Sequence, residues 1–319
     1  MKGHVRDGIL GVATGDALGL PVQFADRNER RADPVTGMRG NGVFNMPAGT
    51  WSDDTSLTLC LLDSLSGGKY DPDDIMKKFA LWLVRGEYTP FGKSFDIGFG
   101  TEEAIERYMY GIPAEKSGGK TEKNNGNGSL MRILPLAYYL YLHYGSGCDT
   151  DTIVRLTDTV SSLTHAHDRS CVGCGIYIMI AMELLNGSSL SDAVESGMSR
   201  AQQYYGKKGR KEIGTYHRIA DPGFADLPKS AIKSSGYIVD TLEAALWALL
   251  TTNAYKDCVL KTTNLGLDTD SVSAVAGGLA GIYYGADAIP AEWIRVIARR
   301  DFIEELCRKT EEYYTEKNR

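Results

Sequence analysis

The sequence predicts a mainly α-helical protein. Three observations carry that expectation: apolar residues recur at helical spacing, helix-start chemistry precedes several of these runs, and period-2 alternation bounded by turn residues is nearly absent. Ser52-Asp53-Asp54 sits where an apolar helix begins, continuing through Leu57, Leu59, Leu61 and Leu62. Asp71-Pro72 reads as N-cap and first helical residue, with Ile75, Phe79, Trp82 and Leu83 on one face. A further helix is expected near Thr101, and an apolar segment covers 130–142. Residues 171–185 are apolar nearly all round, as in a helix buried on every side. That helix should stop at Asn186-Gly187, and Ser188 to Ser191 offers a new cap for Leu190, Val194 and Met198. Asp240 to Glu243 resembles a capping box ahead of Leu246, Leu249 and Leu250. The segment after Ser271 is rich in Gly and Ala, so a neighbouring backbone could pack closely on it. Pro290 opens another helix carrying Trp293, Ile294 and Ile297. The Gly/Pro/Asn-rich stretches 26–50, 111–128 and 206–230 read as loops between helices, so residues 1–319 are expected to form one compact domain.

Composition narrows the class. The 319 residues carry 41 acidic side chains against 35 Lys plus Arg, a formal net charge of −6, with 43% hydrophobic and 24% charged residues. These are ordinary globular values and exclude disordered, collagenous and coiled-coil chains. The acidic balance argues against sequence-independent nucleic-acid binding, which relies on Lys and Arg neutralising phosphates. Six cysteines are too few for a disulfide scaffold. The Cys171/Cys174 pair lies in the apolar 171–185 run, where a thiol is expected to pack rather than react. With no apolar run of membrane-spanning or signal-peptide length, a cytoplasmic, reduced, monomeric protein without membrane contact is expected. Lys207, Lys208, Arg210 and Lys211 form a basic run expected to be a solvated loop.

Two acidic clusters at helix starts are the most informative feature. Ser52, Asp53 and Asp54 form the first, and Asp268, Asp270 and Ser271 the second. Capping is the ordinary explanation for either. Yet a cap needs one side chain, and two acidic groups converging in a core would repel unless divalent ions lay between them. Oxygen-only donors favour Mg²⁺, Mn²⁺ or Ca²⁺ over zinc or copper. Spacing leaves both readings open.

The order of several short motifs resembles the ADP-ribosylglycohydrolase family, nearest its dinitrogenase-reductase-activating type, which acts on ADP-ribosylarginine. The landmarks are Gly15-Asp16 with Gly19, Trp51-Ser52-Asp53-Asp54-Thr55, Phe95-Asp96-Ile97-Gly98, Gly126-Asn127-Gly128-Ser129 with Arg132, Thr164-His165, Gly236-Tyr237, and Asp268-Thr269-Asp270-Ser271. The resemblance implies an all-α fold with a binuclear metal centre of two Mg²⁺ or Mn²⁺. Its implied ligands are Ser52, Asp53, Asp54, Asp268, Asp270 and Ser271. It implies substrate contacts from Gln23, Gly98, Gly126, Asn127, Gly128, Ser129, His165 and Tyr237, with Asp96, Asp53 and Asp54 in catalysis. The implied activity is a metal-dependent hydrolase, a glycosidase that releases ADP-ribose from a modified protein side chain, with arginine as the implied acceptor.

Local alternatives stand beside each role. Gly126 to Gly128 could be an ordinary turn, Asp96 a cap for the helix near Thr101, and His165 a structural imidazole. Asp16 is expected to lock helix packing, and Arg132 to brace the glycine loop or an anion. Gln23 departs from the family, where many members carry Glu; it keeps an oxygen but cannot act as a base. That departure motivates an alternative, an ADP-ribose reader with little or no hydrolysis. His167-Asp168 raises a third, an HD-type phosphohydrolase, which His4, His143 and His217 do not complete.

Overall fold

The computed structural model describes residues 4–317. Among these residues fourteen α-helices follow in order: α1 Val5–Gly19, α2 Arg27–Ala32, α3 Asp53–Leu65, α4 Pro72–Arg85, α5 Phe99–Met109, α6 Leu134–Tyr144 and α7 Thr150–Ser162, then α8 Asp168–Leu185, α9 Leu190–Lys207, α10 Ile238–Leu250, α11 Tyr255–Thr263, α12 Thr269–Tyr284, α13 Ala291–Val296 and α14 Arg300–Lys317. Among the described residues there is no named strand, only three isolated bridges, so the protein is all-α as expected. No helix among them is long and apolar enough to cross a membrane.

The axis of the fold is the pair α1 and α12. Gly11, Gly15 and Gly19 recur every fourth residue and therefore line one stripe of α1. A Cβ at these positions would lie 2.2 Å from Gly277 O, 2.1 Å from Ser273 O and 2.3 Å from Thr269 O. Hydrogen alone at these three sites lets the two backbones touch. Thr269 Oγ1 donates to Gly19 O at 2.8 Å and Tyr255 Oη to Gly11 O at 2.8 Å, which fixes the crossing. α3 packs on both helices, and α8 lies behind α12 between α7 and α9.

Local chemistry explains most boundaries. Asp71 accepts from the Asp73 and Asp74 amides ahead of Pro72, and Gly86 closes α4 in the left-handed region. α8 is buried almost throughout and ends at Asn186, with Gly187 at φ 91°. Ser189 caps α9 through the Asp192 amide. Two expectations change. α10 begins at Ile238, earlier than Asp240, because an antiparallel bridge between Gly126 and Tyr237 sets its start; Asp240 instead accepts from Ser235 Oγ at 2.6 Å. The basic run is not simply solvated: Arg210 pairs with Asp158 at 2.6 Å and Asp168 at 2.5 Å, contacts that only the folded chain creates. All six cysteines are free and buried, and burial pushes the thiols of Cys171 and Cys174 up to about 12 and about 11.

Candidate active site

The packing of α1 against α12 brings the two acidic clusters together. Ser52 is the cap of α3, its Oγ accepting from the Asp54 amide. Asp53 and Asp54 are therefore not needed for capping. Asp268 stands at the N-cap position of α12 but its side chain accepts no cap hydrogen bond there. Ser52 Oγ donates to Asp54 Oδ2 at 3.1 Å and Ser271 Oγ to the same oxygen at 3.3 Å, joining residues 217 apart in sequence. Capping thus accounts for one serine and leaves the carboxylates to something else.

Asp16 is the support under this cluster, as expected. Its carboxylate accepts from the Ser52 amide at 3.0 Å, the Thr55 amide at 3.0 Å and Thr55 Oγ1 at 2.6 Å, holding the first turn of α3 against α1. Asp268 Oδ2 accepts from Asn127 Nδ2 at 2.5 Å, and the same amide reaches Thr241 Oγ1 at 2.9 Å. Asp96 lies on the loop before α5 and is not its cap, a position taken by Gly98. Gln23 Nε2 donates to Asp96 Oδ1 at 3.4 Å.

What these carboxylates lack is as informative as what they hold. Asp54 Oδ1, both oxygens of Asp270, Asp96 Oδ2 and Gln23 Oε1 are buried with no hydrogen-bond partner among the described residues. Orphaned buried acceptors are rare because each forfeits its hydration. Burial raises the proton affinity of Asp53, Asp54, Asp96, Asp268 and Asp270; neighbouring carboxylates add to it for Asp53, Asp54 and Asp270, whereas contact with the Asp270 side chain works against it for Asp96 and Asp268. Burial likewise lifts Asp16 to about 6. Divalent cations would satisfy the orphaned oxygens and cancel the repulsion, and an all-oxygen donor set suits Mg²⁺ or Mn²⁺. Among the described residues no three His, Cys, Asp or Glu side chains already stand as a closed cage, so the fit rests on donor chemistry and unpaired oxygens rather than on preformed geometry.

Above the carboxylates opens a cleft of about 340 Å³. Gln23, Asp53, Asp96, Gly98, Gly126, Asn127, Gly128, His165, Asp268, Asp270 and Ser271 all line it. Ser52 and Asp54 lie beneath, both almost fully buried. Ser129 and Tyr237 are placed elsewhere. Ser129 Oγ is buried between Ser161 Oγ at 3.0 Å and Cys174 Sγ at 3.4 Å, so its side chain braces α8 and only its backbone belongs to the glycine loop. Tyr237 sits under the guanidinium of Arg169, 5.8 Å from its ring centre, and does not line the cleft. The amides of Gly128 and Ser129 donate to no protein acceptor among the described residues; Gly128 lines the cleft, whereas Ser129 is fully buried behind it.

Arg132 braces the loop. It is fully buried, donates to Gly128 O and to Thr164 Oγ1, and lies 4.9 Å over the Phe79 ring. His165 presents its ring to three glycines: a Cβ on Gly100, Gly126 or Gly128 would come within 3.4, 3.6 and 3.2 Å of Nε2. Burial and the Arg132 charge hold this imidazole neutral, down to about 3.

Other lining residues carried no sequence signal. Phe24 and Phe99 are 64% and 74% exposed at the cleft, and Thr101 and Met131 line its wall. Phe24, Asp96 and Leu267 are non-glycine residues at φ 67°, 55° and 65°. Phe24 and Leu267 are locked by backbone bonds of 2.7 Å, Phe24 N–H to Leu267 O and Leu267 N–H to Ala25 O. Strain of order 1–3 kcal/mol per residue concentrates where side chains must be aimed.

Comparison with known proteins agrees with this architecture. The ADP-ribosylglycohydrolase family profile matches residues 1–319. A protein of Pseudomonas putida named ADP-ribosylarginine hydrolase is 34% identical over 309 residues, covering 96% of this chain and 77% of its own. The ADP-ribosyl-[dinitrogen reductase] glycohydrolase of Rhodospirillum rubrum is 31% identical, with 89% and 87% covered. A solved ADP-ribosylglycohydrolase-related protein complex superposes with a TM-score of 0.79 at 29% identity, covering 97% of each chain.

Proposed function

The chain belongs to the ADP-ribosylglycohydrolase family, and from that premise we propose that it hydrolyses the N-glycosidic bond joining ADP-ribose to an arginine side chain, with divalent cations bound among the acidic clusters. The observation that carries this reading is the set of unpaired carboxylate oxygens of Asp54, Asp96 and Asp270 beneath a cleft walled by the glycine loop and His165. The relatives named for removing ADP-ribose from arginine and from dinitrogen reductase support the substrate class. Nothing in the comparisons favours the reader alternative.

Ser52, Asp53, Asp54, Asp268, Asp270 and Ser271 would hold two Mg²⁺ or Mn²⁺. When bound, such ions polarise ribose hydroxyls and template the attacking water. The chain's own residues do the rest. The Gly128 amide, on the cleft and without a protein acceptor among the described residues, receives the diphosphate, and the glycines at 98, 126 and 128 keep side chains out of the ligand's path. Asp96, whose carboxylate lines the cleft, takes a proton from water, while Gln23 Nε2 donates to its Oδ1. Burial raises the proton affinity of Asp96, and its contacts with Asp270 and Gln23 work against that rise. Positive charge at the anomeric carbon is stabilised by the surrounding carboxylates. A ribosylated guanidinium already carries its positive charge, so it departs as neutral guanidine without a dedicated acid. Gln23, in this scheme, orients Asp96 and needs no basicity of its own. The test is ADP-ribose release from an ADP-ribosylarginine protein; Asp96→Asn should lower the rate about 10²–10⁴-fold.

A further inference from the structure

A chain of hydrogen bonds runs from Arg132 to the cleft. Arg132 Nη2 donates to Thr164 Oγ1 at 2.8 Å, and Thr164 Oγ1 lies 2.7 Å from His165 Nδ1. Arg132 and Thr164 are fully buried, and no other partner of the Thr164 hydroxyl occurs among the described residues. A guanidinium has no acceptor, so Thr164 Oγ1 must accept from it. The hydroxyl's single proton then has one outlet, His165 Nδ1. The reverse assignment, with a proton on Nδ1, would make Oγ1 accept twice and strand its own proton in the dry interior.

We propose that Arg132 and Thr164 are positioning residues that fix His165 as the Nε2–H tautomer, so that the cleft meets a hydrogen-bond donor aimed at a phosphate oxygen of ADP-ribose. This rests on the ADP-ribose reading above for its ligand, though not for its tautomer. Nε2 has no protein partner among the described residues and lies on the cleft. Beside it stands Thr101 Oγ1, buried and also without a partner; a Cβ at Gly128 would be 3.0 Å from that hydroxyl and 3.2 Å from Nε2. With the unpaired Gly128 amide, these groups form a donor-rich corner next to a carboxylate-rich floor. An imidazole offering a lone pair there would repel the phosphate that this amide attracts. The Arg132 charge behind the ring also disfavours the doubly protonated form.

The test reads the tautomer directly. Long-range ¹H–¹⁵N correlation spectra of histidine-labelled, ligand-free protein should show His165 Nδ1 unprotonated and Nε2 protonated. Thr164→Val keeps the shape and removes the relay; it should shift the spectrum towards mixed tautomers and weaken ADP-ribose binding, read by calorimetry, about 10-fold. Thr164→Ser should restore both readouts, which a purely structural role of the threonine methyl would not allow. A wild-type spectrum with the proton on Nδ1 overturns the proposal, and so does unchanged ADP-ribose affinity in folded Thr164→Val. If Thr164→Val does not fold, the wild-type spectrum and Thr164→Ser still decide. Wild type that shows the Nε2–H tautomer yet binds no ADP-ribose would instead overturn the functional reading while upholding the relay.

Discussion

Replacing Asp270 by Asn should stabilise the metal-free protein and abolish much of its stabilisation by Mg²⁺ or Mn²⁺. Both Asp270 oxygens are buried without partners, and burial together with Asp268, Asp54 and Asp96 raises its proton affinity well above the usual carboxylate range. The same direction holds for Asp53, Asp54, Asp96 and Asp268. For such groups the folded state binds more protons than the unfolded state. Their favourable contribution is complete below the unfolded value of 3.8 and is lost as pH rises through the folded values. Metal-free protein should therefore melt lower at about pH 8 than at about pH 6. One cation at 100 times its Kd adds about 2.7 kcal/mol. At ~2.1 cal/mol/K per residue, 319 residues give an unfolding entropy of about 0.67 kcal/mol/K. Each ion should then raise Tm by about 4 °C, and two by about 8 °C. The assay is thermal melting after chelation, with and without saturating Mg²⁺ or Mn²⁺, for wild type and Asp270→Asn. A wild type indifferent to both metals, or a metal-free Asp270→Asn that melts lower than wild type, would refute the reasoning; shared protons would then be holding the cluster.

Other perturbations separate packing from chemistry. Gly15→Ala drives a methyl into Ser273 O at 2.1 Å and should cost several kcal/mol or prevent folding, whereas Gly67→Ala, with nothing within 4 Å, should leave Tm within about 1 °C. His165, held down to about 3 from 6.5 by burial and Arg132, should not titrate by NMR between about pH 5 and pH 8. Because the unfolded chain binds that proton below 6.5, His165 adds a loss of about 1.4 kcal/mol per unit as pH falls from there towards its folded value, visible as a steeper acid limb than in His165→Gln. Gln23→Glu places an anion against Asp96 Oδ1, now 3.4 Å from an amide donor, and should lower the metal-free Tm while tightening Mn²⁺ binding in calorimetry.

Much of this was legible in the sequence because it depends on local rules. Ser52 as a cap, Asp71-Pro72, the Gly187 stop and the close-packing glycines of α12 follow from helix chemistry and from side-chain size. The acidic clusters were visible separately, but their meeting required α1 to touch α12, an event of tertiary packing. Arg210 was misread for the same reason, since Asp158 and Asp168 lie 52 and 42 residues away. Ser129 belonged to a recognisable loop, yet rotamer and neighbours turned its hydroxyl towards Ser161 and Cys174. Phe24, Phe99 and Thr101 gave no signal because an exposed aromatic or a lone threonine means nothing until a cleft surrounds it. The left-handed backbone at Asp96 is equally silent: Asp is enriched at positive φ, yet most Asp residues adopt negative φ, so the residue type alone does not mark the position.

The most direct measurement is release of ADP-ribose from an arginine-modified protein by wild type and Asp96→Asn, with and without Mg²⁺ or Mn²⁺, alongside ADP-ribose affinity of both. The account predicts metal-dependent release by wild type and a loss of about 100-fold or more in Asp96→Asn with binding retained. No release from the arginine linkage, or equal rates for the two proteins, would contradict it.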